Sequence, residues 1–140
     1  MHWGLWDGIV YSWLAHYVKL ARKEYTLMAK LRELLDLEGV VLAGEFDFDG
    51  SMLDYEAKMD MAEEAAQMTA EFCAAVSVMF NSLASSFAER SGMNWVPQHG
   101  WAYSGGEWTA CIGDGGKRGV FVETSKADFN RLFEALSDDR

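Results

Sequence analysis

A chain of 140 residues, half of them apolar and only one a proline, can close one domain around a sizeable core and is too hydrophobic to be a disordered tail. Its formal charge of −10 excludes a nucleic-acid surface, which needs a basic footprint. That charge is unevenly placed: residues 1–32 carry Lys19, Arg22, Lys23, Lys30 and Arg32 against Asp7 and Glu24, a net of +3, and residues 33–140 carry −13. Cys73 and Cys111 fall at core-like positions with no CxxC spacing, and read as buried thiols in a reducing, cytoplasmic setting.

The spacing of Trp6, Val10, Trp13, Tyr17, Leu20, Leu27, Leu31 and Leu34 predicts a helix over 6–35 whose stripe is broken only by Glu24. The uncharged run Gly8–Val18 is eleven residues, well short of the roughly 20 that span a bilayer. Positive charges follow this run rather than precede it, which is not the order of a signal peptide. Two readings of residues 1–27 stay open. One is an amphipathic extension that lies, through residues 6–25, on an anionic membrane surface or in a partner's groove. The other is a reading frame begun upstream of Met28, where MAKLRELLDLEGVV makes a natural start for a domain of residues 28–140.

After a helix end at Leu35 and a closing Gly39, Val40–Leu42, Phe46 and Phe48 read as a first strand. Asp49-Gly50 is a hairpin turn and Ser51–Tyr55 the returning strand. A long helix follows from Asp60 to Gly92. Asp60 is the expected N-cap, with Glu63 completing a capping box, and Gly92 is the expected C-terminal glycine. Two charge-poor series run along it. Met61, Ala65, Met68, Phe72, Val76, Met79, Leu83 and Phe87 read as the core face; Ala62, Ala66, Thr69, Cys73 and Phe80 read as a second face left for a partner. Next come a strand Trp95–Tyr103 containing Pro97, a turn at Ser104-Gly105-Gly106, an alternating strand Glu107–Ile112, a glycine turn over 113–117, a strand Gly119–Glu123 and a closing helix Ala127–Leu136 with Asp128 in its first turn. The order α-β-β-α-β-β-β-α, with five strands in meander hairpins, gives an α+β fold: one five-stranded antiparallel sheet with the long helix across a face.

The segments LLDLEGVVLAGEFDFDGSMLDY, SGMNWVPQHGWAYSGGEWTACIG and GVFVETSKADFNRLFEAL resemble the roadblock family of dynein-light-chain type, in a largely uncharacterised prokaryotic branch. The resemblance covers about residues 28–137. It implies a homodimer paired edge to edge through the third strand with the two long helices side by side, Trp101 and Tyr103 near the paired edge, and an adaptor role or a Ras-like GTPase partner. The tryptophan-rich hairpin and the methionine-rich helix depart from the family pattern.

Chemistry is sparse. Glu45, Asp47, Asp49, Gly50 and Glu56 match positions 1, 3, 5, 6 and 12 of a calcium loop. A glutamate at position 1, Leu53 at position 9 and a strand-like approach favour a plain hairpin. The 113–117 glycines lack P-loop spacing and lead into a strand, so they read as a turn. Of His2, His16 and His99, the last lies between Pro97 and Trp101 with no Cys or Asp at metal spacing, and no serine sits in a nucleophile elbow. Trp95, Trp101, Tyr103 and Trp108 exceed what one sheet face hides and read as interface anchors. The chain therefore reads as a non-catalytic homodimeric adaptor or regulator with no metal and no cofactor. Its dimer interface is expected at Trp95, Trp101 and Tyr103, and partner binding at Thr69, Cys73 and Phe80. The alternative is an accessory docking subunit of a larger, redox-type enzyme complex.

Overall fold

From Gly4 to Leu35 no proline or helix-ending glycine intervenes, and the chain runs as one continuous helix, α1. The computed structural model describes residues 4–137; His2 and the last three residues of the expected domain lie outside them. Among the described side chains, only the end of α1 packs. Leu31 and Leu34 are fully buried and Leu27 and Leu35 lean on the same core, whereas every residue from 9 to 26 is exposed. Trp6 falls within the helical backbone, but its side chain lies outside the described ones.

Gly39 turns the chain into β1 (Val40–Phe46), and β2 (Met52–Ala57) returns antiparallel to it. The Asp49-Gly50 turn forms as expected. Gly50 takes φ +91°, and a Cβ there would lie 3.2 Å from Glu71 Cγ of the following helix, so both conformation and space call for glycine. The helix α2 (Glu63–Ser91) leads to β3 (Trp101–Gly105), β4 (Trp108–Gly113), β5 (Arg118–Glu123) and the closing helix α3 (Phe129–Ser137). The strands pair in the order β2-β1-β5-β4-β3, so two hairpin units meet through a long-range β1–β5 pairing, and β2 and β3 form the edges.

Successive residues of β4 divide between two cores. Cys111 joins Leu31, Leu34, Val122, Leu132 and Leu136 under α1 and α3, and Ile112 joins Phe46, Ala70, Cys73 and Trp101 under α2. The result is three layers, with the sheet in the middle.

Some local expectations need adjustment. The helix α2 begins at Glu63 with Ala62 at its N-cap and no side-chain cap, because residues 58–62 run out from the edge strand before the chain can turn over the sheet; Asp60 is exposed and caps nothing. Glu63 and Glu64 still place acid in the first turn, and Gly92 ends the helix at φ +69°, donating its N–H to Ala88 O. The strand expected from Trp95 starts only at Trp101, because residues 92–100 form a loop with a cis Val96–Pro97 bond. Asp128 is not inside α3 but caps it, its Oδ1 accepting the Arg131 N–H at 3.2 Å.

Arg118 has no signature in the sequence and ties three elements together. Its Nη2 and Nε donate to Glu45 Oε2 at 3.2 and 3.3 Å, its Nη1 donates to the Leu136 carbonyl at 3.3 Å, and Asp114 lies 3.8 Å away. The Arg118 side chain is 9% exposed and that of Glu45 20%, so removing the cation strands a largely buried carboxylate. Arg118→Met is expected to lower the unfolding free energy by about 3 kcal/mol, read from urea denaturation; a loss under about 1 kcal/mol would show that the pair behaves as a surface one.

Candidate interaction surface

Which face of α2 meets the sheet decides what the protein offers a partner. The buried residues are Ala66, Ala70, Cys73, Ala74 and Ser77, all small, while Met68, Phe72, Met79, Leu83 and Phe87 are exposed. The expected assignment of the two faces is therefore inverted. The sheet supplies the bulk, through Phe46, Ile112 and Trp101, and α2 descends closely enough that only small side chains fit beneath it. Trp101 is clamped in this layer, its Nε1–H donating to Ser77 Oγ at 2.8 Å.

The two flanks of α2 differ. On one, Gln67 donates to Gly50 O at 2.8 Å and accepts from Met52 N–H at 3.3 Å, fastening the helix to the β1–β2 hairpin. On the other, Thr69 and Cys73 border a small void with Leu42 and Phe121 of the sheet. Pairing across the strands puts Phe121, Ala110 and Tyr103 in one row, and Trp108 two residues from Ala110 on the same face. Ala110 and Phe121 are half-buried and Tyr103 is 62% exposed. The sheet beyond α2 is thus left open. Phe72, Met79 and Leu83 are exposed on α2, and the open sheet face ends at β3, an edge strand.

At its far end, α2 and the 92–100 loop enclose a cleft of about 840 Å³. Gln98 holds the loop by donating to Ser77 O at 3.0 Å and Asn81 Oδ1 at 2.7 Å, and Trp95 meets Phe87 edge to face with centroids 5.2 Å apart. Phe80 leans on Trp101 at 5.8 Å.

The six expected contact residues thus separate. Tyr103, Trp95 and Phe80 are exposed and Thr69 is half-buried, its hydroxyl donating to Ala65 O. Trp101 and Cys73 are inside, 8% and 1% exposed, and present no side chain to a partner. Phe72, Met79, Leu83 and Phe87 went unassigned as contacts because hydrophobicity alone reads a row of large apolar residues as core. The run of small residues one step round the helix was the signal that a close packing face lay there.

The candidate chemistry is placed as follows. Glu45 is paired with Arg118, Asp47 accepts from Phe48 N–H, and Asp49 Oδ1 accepts Ser51 N–H at 2.8 Å, a bond that holds its carboxyl below the usual value. Among the described residues no three His, Cys, Asp or Glu side chains gather as a metal site. Residues 113–117 form the expected turn, with Asp114, Gly115 and Gly116 at positive φ. His16 and His99 are exposed, on α1 and in the 92–100 loop. By length and composition α2 could cross a bilayer, yet here its small face packs on the sheet.

This arrangement, a five-stranded antiparallel sheet between α2 on one face and α1 with α3 on the other, is the roadblock-like fold. The gliding protein MglB of Thermus thermophilus superposes with a TM-score of 0.60 at 16% identity, over 79% of this chain and 84% of that one. MglB of Myxococcus xanthus gives 0.58 at 13% identity over 78% and 89%, and a roadblock/LC7 domain from Streptomyces avermitilis 0.59 at 14% over 77% and 86%. The chain belongs to the family described as "Uncharacterized conserved protein (DUF2173)", whose model matches residues 30–138. No curated protein matches it in sequence.

Burial pushes both thiols up to about 12 from 9.0, and the sheet separates them. At pH 8 the folded chain is expected to resist a thiol-specific disulfide reagent, and to react at both cysteines once unfolded. Because the folded thiols stay protonated where the unfolded ones ionise, stability is unaffected below pH 9 and falls as pH rises from 9 toward 12. Rapid labelling of the native chain at pH 8 would contradict this.

Proposed function

We propose that this protein is a non-catalytic, homodimeric adaptor of the cytoplasm that regulates a small Ras-like GTPase. The observation that carries the reading is the exposure of Phe72, Met79 and Leu83 on α2 together with an open sheet face that ends at the edge strand β3. An unpaired edge strand beside exposed aromatics is a liability unless another chain covers it. A second copy does so symmetrically, adding β3 to β3 and setting α2 beside α2. Burying Phe72, Met79, Leu83 and Tyr103 on each protomer, at about 1.5–3 kcal/mol apiece, is of the size needed against the roughly 4–15 kcal/mol that association costs.

The fold supports this reading. One solved MglB has a tetrameric arrangement, so self-association occurs on this scaffold. The GTPase partner rests on the roadblock resemblance. Trp95, expected at the dimer seam, is assigned instead with Phe80 and Phe87 to the GTPase surface, since all three border the cleft at the far end of α2.

The test has two readouts. By light scattering the chain is expected at twice 15.7 kDa, and Tyr103→Asp is expected to return it to 15.7 kDa with its circular dichroism unchanged. The tagged full chain is expected to capture a Ras-like protein from native lysate only with a GTP analogue present. A monomeric wild type, or an unchanged mass in Tyr103→Asp, would overturn the dimer. Capture of a fixed set of enzyme subunits regardless of nucleotide would replace GTPase regulation with a docking role.

A further inference from the structure

The part of α1 from residue 9 to 26 packs on no part of the domain's core, yet it exposes four large aromatic side chains: Tyr11, Trp13, Tyr17 and Tyr25 are 60–75% exposed. At 100° per residue, Val10, Trp13, Tyr17 and Leu20 share the phase of buried Leu31 and Leu34 and make the narrow seam that a single partner helix covers. Tyr11, Leu14, Val18 and Tyr25 lie outside that seam and widen the apolar sector to about two-thirds of the circumference. A partner helix would leave them in water. A membrane interface covers them all.

The rest of the circumference has the complementary character. It holds Ser12, Lys19, Lys23 and Thr26, with Arg22 at its margin and no acid; Glu24 is the one charged residue of 9–26 inside the apolar sector. Residues 9–26 carry Lys19, Arg22 and Lys23 against Glu24, a net of +2, and residues 33–140 carry −13. An anionic surface therefore draws in this arm and holds off the domain, whereas two such arms repel each other. Tyrosine and tryptophan are also the side chains that settle at headgroup level. We propose that residues 9–26 form an interfacial helix that lies in the headgroup layer of an anionic phospholipid bilayer, its lysines and Arg22 reaching the lipid phosphates, and so brings the domain to the membrane surface.

The full chain, sedimented with vesicles of phosphatidylcholine containing phosphatidylserine, is expected to bind them, to ignore vesicles of phosphatidylcholine alone, and to be released by salt. Each cation near the surface is worth roughly fivefold, so Lys19→Gln with Lys23→Gln is expected to weaken binding about 25-fold. Tyr11→Ser with Val18→Ser, both exposed and off the seam, is expected to abolish binding without altering the fold. No sedimentation, equal binding to neutral vesicles, or wild-type binding by Tyr11→Ser with Val18→Ser would overturn the proposal. So would a lipid-free oligomer that dissociates on Trp13→Ala, which would mark the seam as a protein contact.

Discussion

Everything the molecule offers its surroundings depends on how closely α2 approaches the sheet. Ala66, Ala70, Cys73, Ala74 and Ser77 leave room for Phe46, Ile112 and Trp101 to rise from the strands, and Ser77 closes the contact by accepting the Trp101 indole N–H. Small residues on the helix and large ones on the sheet interdigitate at close-packed density. With the packing face filled by small side chains, the large ones of α2 have nowhere to go but outward. The exposed ribbon is thus a direct consequence of the packing, and a mutation that enlarged Ala70 would disturb both at once.

The second organising constraint is the segregation of charge along the chain. An acidic domain carries a basic, aromatic helix that leaves the domain's core behind at Leu27. The arm and the α2 surface lie in different layers, since α1 covers the sheet face opposite α2. Membrane contact through one and self-pairing or partner binding through the other are therefore geometrically compatible. Arg118 strengthens the same frame from within, joining β1, β5 and the end of α3 through Glu45 and the Leu136 carbonyl.

Much of the fold was legible in the sequence because it is encoded locally. Gly50 demands a left-handed turn, Gly92 ends a helix, and alternation along Trp108–Ile112 marks a strand. What was not legible is set by tertiary structure. The β1–β5 pairing joins segments some 80 residues apart without any local turn signal, and Arg118 is buried only because Glu45 lies on the neighbouring strand. The same holds for the two faces of α2. Periodicity locates apolar stripes but not the distance of the helix from the sheet, and that distance put Cys73 inside and Phe72 outside. Trp101 and Tyr103, two residues apart on one strand face, look alike in sequence; only Trp101 lies under the helix.

The central claim is that the open surface beside α2, up to the free edge of β3, is covered by a second copy of the chain. Hydrogen exchange across β3 (Trp101–Gly105) and the outer turns of α2, followed as the protein is diluted, tests this most directly. Slow exchange along β3 at high concentration that accelerates on dilution is expected, while the central β1 and β5 amides stay unchanged. Exchange along β3 that is fast at every concentration would mean the edge is never paired, and would contradict the claim.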